Sequence, residues 1–356
     1  FARPSEAKVK HLNLIASVDF ENRVLNAKAH YDIETSDDAQ KIVFDTRNLS
    51  IAKVFVDSTE TKDWWIGPKV EFLGQALEIT ITPQAKRVSI EYVTTDGAEA
   101  LQWLNPQQTA GKVQPFLFTQ SQAILARTWI PCQDSPGIRY TYEATITVPS
   151  GLMAVMSASN PTEIDSSGVY HFEMNQPIPS YLMALAVGDL VFQSVGANTG
   201  VYAEPSMIEV TAFEFEDMQK MLESAESIYG KYAWDQYDVL LLPPSFPFGG
   251  MENPRLTFAT PTILAGDKSL TALVAHELAH SWSGNLVTNR TWDDFWLNEG
   301  FTVYFERRIM EDVYGKEYAD MLTLLGRQDL DKELKALADA PDDTHLKLDL
   351  EGRDPD

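Results

Sequence analysis

The stretch "LVAHELAHSWSG", residues 273 to 284, sets two histidines four positions apart with a glutamate directly after the first. On a helix, residues at this spacing share a face with Cβ atoms roughly 5–6 Å apart. His276 and His280 can then close on one ion at about 2.0–2.1 Å. Glu277 is turned about a quarter circle from that face, so it can reach a water held by the ion without ligating the ion itself. A carboxylate so placed takes a proton from water whose pKa the metal has lowered. The pattern His-Glu-x-x-His arises by chance in roughly one chain of this length in a hundred, so a third donor is needed.

Glu299 supplies one. It lies nineteen residues past His280 in "DFWLNEGFTVYFERR", a second helical pattern. Two imidazoles and a carboxylate leave one tetrahedral position open, as in catalytic zinc sites. Structural zinc sites usually close with cysteines, and Cys132 is the sole cysteine. The neighbours Phe295, Trp296 and Leu297 predict that Glu299 is buried beside the metal. The donor set specifies one zinc ion, although iron or cobalt could take the same ligands.

A second informative stretch is "PSFPFGGMENP", residues 244 to 254. Adjacent glycines let a ligand backbone approach closely and leave main-chain N–H and C=O groups for it, so a peptide could add here as a strand. Glu252 then places a carboxylate at the end of that edge. Beside a zinc site it could hold the α-ammonium of a peptide; a Gly-Gly turn with a surface glutamate is the plainer alternative.

These residues need elements to hold them. From about residue 10 to 190 the chain runs in short alternating segments such as "HLNLIASVDF", "LEITIT" and "RVSIEYVT", with turn chemistry at "PSG" and "DSSG". These predict an antiparallel β domain over 1–194. Near residue 195 the period changes, and "FEFEDMQKMLESAESIYGKYAW" has helical spacing. A mixed α+β domain over 195–356 follows, in which "YDVLLLPP" reads as a buried strand, "GGMENPRLTFAT" as a turn feeding an edge strand, and 268–283 as a helix. For that helix Asp267 or Ser269 is the candidate cap, Leu270, Leu273 and Val274 the buried stripe, and Gly284-Asn285 the stop. From Ala338 onward an acid-rich segment reads as solvated surface.

At 356 residues the chain exceeds one ordinary core. No segment approaches the roughly 18 unbroken apolar residues of a membrane helix. The net charge of −24 opposes contact with phosphate backbones or anionic lipid, which argues against nucleic acid as partner. A single cysteine rules out an intrachain disulfide and suits a reducing, cytoplasmic compartment, with a periplasmic or secreted location left open. Oligomeric state is not legible.

With these residues in view, the sequence resembles the gluzincin zinc aminopeptidases. "GGMEN" (249–253), "HELAH" (276–280) and "WLNEG" (296–300) carry the family likeness. "TQSQA" (119–123), "PPSFPFGGMENP" and "ILAGDKSL" (263–270) resemble its leukotriene-hydrolase branch, and the likeness runs from about residue 10 to the end. The resemblance implies a saddle-shaped N-terminal β domain and a thermolysin-like catalytic domain. It implies His276, His280 and Glu299 as zinc ligands, Glu277 as general base, and Glu252 as the carboxylate that binds the substrate ammonium. Phe248, Gly249, Gly250 and Met251 would lie along the substrate. Gln120 and Gln122 match a β-domain segment that touches substrate, a role resting on resemblance alone. The implied substrates are peptides with a free N-terminus.

The sequence departs from the family pattern at two points. Phe248 stands where that branch often has tyrosine, which removes a hydroxyl. The family's catalytic tyrosine follows the third zinc ligand at a distance that Tyr304, Tyr314 and Tyr318 come too early to match, so the sequence is expected to be one segment of a longer polypeptide that continues into a helical domain. A zinc endopeptidase and a non-catalytic module of the same fold are the competing readings.

Overall fold

Side chains along the strand Ala7–Asp19 alternate between buried and more exposed positions, because a strand turns successive residues to opposite faces. Leu12, Leu14 and Ala16 point into the core. The strand is third in a seven-stranded sheet ordered Val169–Pro179, Arg139–Thr147, Ala7–Asp19, Val24–Thr35, Arg87–Thr94, Leu49–Val56 and Thr59–Thr61. Alternation predicts an antiparallel domain, yet Ala7–Asp19 and Arg139–Thr147 pair in parallel, from His11 opposite Thr141 to Ser17 opposite Thr147. The two strands are far apart in the chain, so no hairpin imposes opposite directions.

The computed structural model describes residues 1–355. The chain divides into two units, Phe1–Val191 with Glu204–Ser206, and Phe192–Ala203 with Met207–Arg353. In the first, a four-stranded sheet (Met153–Met156, Leu185–Gly188, Phe116–Thr119, Leu101–Leu104) and a three-stranded sheet (Lys41–Thr46, Gln75–Thr80, Trp64–Ile66) complete the β architecture. The chain leaves Phe116–Thr119 through Gln120, whose N–H donates to the Ala100 carbonyl at 2.9 Å. The Ser121 hydroxyl anchors the same segment, donating to the Met183 carbonyl at 3.1 Å and accepting from Trp129 Nε1 at 3.0 Å. The Gln122–Ala123 peptide bond is cis.

The second unit is built on a five-stranded sheet ordered Val191–Ser194, Thr199–Ala203, Tyr237–Leu241, Leu256–Ala259 and Gly250–Met251. Its three middle strands run parallel and every residue in them is buried, as expected for strands covered on both faces. Gly250–Met251 is the edge, antiparallel to Leu256–Ala259. The edge strand is thus Gly250–Met251, starting at the second glycine of the pair, and "LTFA" is interior, paired in parallel with Tyr237–Leu241 on one side and antiparallel with Gly250–Met251 on the other.

The described residues form five α-helices, the first two between Thr199–Ala203 and Tyr237–Leu241 and the rest after Leu256–Ala259: α1 (Ile208–Glu214), α2 (Met218–Tyr229), α3 (Ala272–Ala279), α4 (Trp296–Tyr314) and α5 (Lys316–Ala336). The single helical stretch expected over 213–234 is broken between α1 and α2, a break that lets both Phe215 and Met218 enter the core. Helix α3 is shorter than the expected 268–283. The buried Glu214 carboxylate accepts N–H bonds from Ala265 (3.2 Å), Gly266 (2.8 Å) and Lys268 (2.9 Å), and Lys268 has φ of 62°, so the chain is held in a loop until Thr271. Asp267 caps that loop through Ser269 N–H at 3.0 Å, and neither residue caps the helix. Leu270 is exposed and Leu273 half-buried; the buried stripe is Val274, Ala275, Leu278 and Ala279. The helix ends earlier than the expected Gly284 stop, at Ala279 with His280 as its C-cap, and Gly284, with φ of 112°, lies beyond it in the following turn.

Tyr229 of α2 stacks on Phe305 of α4 with ring centroids 3.9 Å apart. Gly315, at φ of 91°, separates α4 from α5, a helix that the sequence pattern left undistinguished. The segment after Ala338 is largely exposed, with one short turn at Pro341–Thr344. Among the described residues no helix is long and apolar enough to cross a membrane.

Candidate metal centre

Packing of α3 against α4 brings His276, His280 and Glu299 together, with one donor atom of each within 4.8 Å of the others. The two Nε2 atoms are 3.1 Å apart, Glu299 Oε2 is 3.3 Å from His276 Nε2, and Glu299 Oε1 is 3.7 Å from His280 Nε2. Donors bound tetrahedrally at roughly 2.0–2.1 Å are separated by about 3.3 Å, so the three edges fit a common zinc-sized ion.

Each Nδ1 is directed at an oxygen acceptor. His276 Nδ1 faces Glu306 Oε2 at 3.1 Å, and His280 Nδ1 faces the Ser283 carbonyl and Thr302 Oγ1, both at 3.1 Å. Donation from both Nδ1 atoms leaves both Nε2 lone pairs converging on one point, where only a cation is favourable. The charges agree. At His276 burial disfavours the imidazolium, but the hydrogen bonds to Glu299 and Glu306 outweigh it and raise the group to about 11. His280, deeper and beside His276, is pushed down to about 4, chiefly by burial. Burial alone would raise Glu299, but its bond to His276 holds the carboxylate below its usual value.

Glu299 is half-exposed rather than buried among Phe295, Trp296 and Leu297, which are themselves half-buried or exposed. Its turn of α4 opens toward the imidazoles, and the buried residue beside it is Asn298. Glu277 is buried, and burial raises it to about 8 despite the opposing effect of His276. Glu252, also buried, is raised to about 7 by burial first and by Glu299 second. Donor oxygens of Glu252 and Glu277 lie within 4.8 Å of each other and of a His280 ring nitrogen. Asn285 Nδ2 fixes Glu252 by donating to its carbonyl at 2.8 Å, and Asn298 Nδ2 donates to its Oε1 at 3.5 Å.

Gly250 lies over Glu277: a β-carbon at Gly250 would fall on the carboxylate. Gly249 is fastened to the sheet by accepting from Thr260 N–H at 2.9 Å. Met251 is buried, whereas Phe248 is exposed and edge-on to Phe246 at 5.9 Å. Gln120 and Gln122 belong to the first unit, Gln120 buried and Gln122 half-buried. The hydroxyls of Tyr314 and Tyr318 donate to Asp217 Oδ2 and the Ser269 carbonyl, each at 3.0 Å, and Tyr304 is exposed.

Sequence reasoning missed Asn285, Asn298, Thr302 and Glu306. For Thr302 and Glu306 a signal existed: three and seven residues beyond Glu299 return to the same helix face. The asparagines carry no such signal: Asn285 lies in the turn after α3, and Asn298 stands one residue off the Glu299 face of α4.

Two family patterns match the chain: "Peptidase M1 N-terminal domain" over residues 8–182 and "Peptidase family M1 domain" over 213–346. Among curated relatives, leukotriene A-4 hydrolase of Xenopus laevis is 44% identical over 367 residues, covering 100% of this chain and 60% of that protein. Leucine aminopeptidase 2 of Sclerotinia sclerotiorum is 40% identical over 364 residues, covering 98% of this chain and 60% of its own length. The solved structure of yeast LTA4 hydrolase in complex with bestatin superposes with a TM-score of 0.93 at 38% identity, covering 100% of this chain and 56% of that one. The chain thus spans about 60% of the curated relatives it matches.

Proposed function

Since this chain belongs to peptidase family M1, whose members are zinc metalloenzymes, we propose that it is the metal-binding part of an aminopeptidase that removes the N-terminal residue from peptides. In this reading residues 1–194 are a β domain and 195–356 the catalytic domain, with one zinc ion held by His276, His280 and Glu299. The observation that carries it is the convergence of these three donors at 3.1, 3.3 and 3.7 Å, with two further buried carboxylates beside them. Zinc in this donor set would supply Lewis acidity toward a carbonyl and lower the pKa of adjacent water to about 7.

Glu277 accepts the proton of the attacking water at its carboxylate. A basicity raised by burial suits it to proton transfer near neutral pH. Glu252 pairs with the substrate α-ammonium, an ion pair that offsets the cost of keeping its carboxylate buried. Gly249, Gly250 and Met251 present an edge strand to the peptide, with Phe248 at its rim. The roles of Gln120 and Gln122 are supported by the family resemblance alone. A cytoplasmic setting suits Cys132, which is buried and free.

The test compares aminoacyl chromogenic substrates with their N-acetylated forms, using the intact protein. Cleavage confined to the free amine supports the reading. Equal cleavage of both would turn it toward an endopeptidase, and no cleavage of either toward a non-catalytic module.

A further inference from the structure

His276 is gripped from both sides by one helix. Its Nε2 faces Glu299 at 3.3 Å and its Nδ1 faces Glu306 at 3.1 Å, and the two carboxylates stand two turns apart on α4. Both oxygens of Glu306 are engaged: Oε2 with His276, and Oε1 with the Arg307 guanidinium. The side chain is buried, so the arrangement is shielded from competing water. His280 is held differently, by the Ser283 carbonyl and the Thr302 hydroxyl, which carry no formal charge. The two imidazoles that look alike in sequence therefore have unlike partners.

We propose that Glu306 is the positioning residue of the metal centre. Its carboxylate accepts the Nδ1–H of His276, which fixes the tautomer with a bare Nε2, aims that lone pair at the Glu299–His280 point, and makes it the stronger donor of the pair. Arg307 holds Glu306 in place through its other oxygen. Carboxylate–imidazole–metal chains act in this way generally, and loss of the outer carboxylate typically weakens metal binding by about 10- to 100-fold. The inference rests on the metal reading given under the proposed function, and the experiment separates the two.

The apparent zinc Kd of the intact protein is measured by chelator competition for wild type, Glu306→Gln, Glu306→Ala and Thr302→Val. Visible absorption of the cobalt-substituted forms and melting of the chelated forms are followed alongside. Wild type should bind one zinc. Both Glu306 variants should bind it about 10- to 100-fold more weakly, Glu306→Gln with altered cobalt bands and an unchanged chelated melting temperature, and Thr302→Val should lose less. Zinc affinity of Glu306→Gln within about twofold of wild type, with the same cobalt spectrum, overturns the inference and leaves the metal reading standing. Weakened affinity matched by earlier melting of the chelated form, with unchanged cobalt bands, assigns Glu306 a purely structural role and likewise overturns it. Absence of zinc from wild type overturns the metal reading and this inference with it.

Discussion

Gly250 and Glu277 are packed so closely that no side chain fits between them: a β-carbon on Gly250 would occupy the space of the Glu277 carboxylate. The edge strand therefore runs directly over the proposed base. Gly250 has an ordinary negative φ, so its requirement is space rather than backbone conformation. Gly250→Ala should displace Glu277 and lower kcat by about a hundredfold, the scale of a 1 Å misplacement, while zinc content stays at wild-type level. Steady-state kinetics with metal analysis checks this; near-normal kcat would mean that Glu277 is not where the chemistry happens.

Glu277→Gln keeps the side chain's shape and removes its ability to accept a proton. It should retain zinc and lose kcat by about 10²- to 10⁴-fold, the usual range for a general base. A variant that lost zinc in parallel would make Glu277 part of the metal's support instead.

Glu252 sits at the end of the edge strand, fixed through Asn285 and Asn298. Glu252→Gln should raise KM and lower kcat/KM for substrates with a free amine by two or more orders of magnitude, because a buried charged pair loses one partner. N-acetylated substrates should be cleaved no better or worse than by wild type, and a comparable loss on both would refute ammonium recognition.

Much of this centre is legible in the sequence, because α3 is a short regular helix and the His276–His280 spacing is a local property of it. Glu299 and the glycine pair are legible for similar reasons, each lying in a pattern whose period or composition announces the element. The burial expected of Glu299 fails because hydrophobic neighbours on a helix describe other faces of it: Asn298, not Glu299, is the buried residue of that turn. Helix α3 starts later than its sequence pattern predicts because Glu214, far back in the chain, holds residues 265–268 in a loop. The parallel pairing of Ala7–Asp19 with Arg139–Thr147 is invisible to alternation, which specifies faces but not direction.

Away from the centre, Asp238 is buried in the parallel sheet, accepting from Gln236 Nε2 at 2.7 Å. Burial raises its pKa from 3.8 to about 7, against the opposing effects of Gln236, Arg255 and the Gly200 N–H. A folded-state value above the unfolded one means the folded protein binds the proton more tightly, so stability is highest below about pH 4. It is lost as pH rises from there through about 7, by up to roughly 4 kcal/mol. Asp238→Asn should therefore melt several degrees higher than wild type at pH 8, with the gap narrowing toward pH 4, as followed by calorimetry. A gap independent of pH would show that Asp238 stays ionised throughout.

The central claim is that one divalent cation is held by His276, His280 and Glu299. Elemental analysis of the intact protein, alongside Glu299→Gln and chelated, zinc-reconstituted samples, tests it most directly. The account predicts about one zinc per wild-type chain, peptidase activity lost on chelation and restored by zinc, and a Glu299→Gln variant with zinc far below stoichiometry. Wild-type protein active with no stoichiometric transition metal, or a Glu299→Gln variant holding zinc as well as wild type, would contradict it.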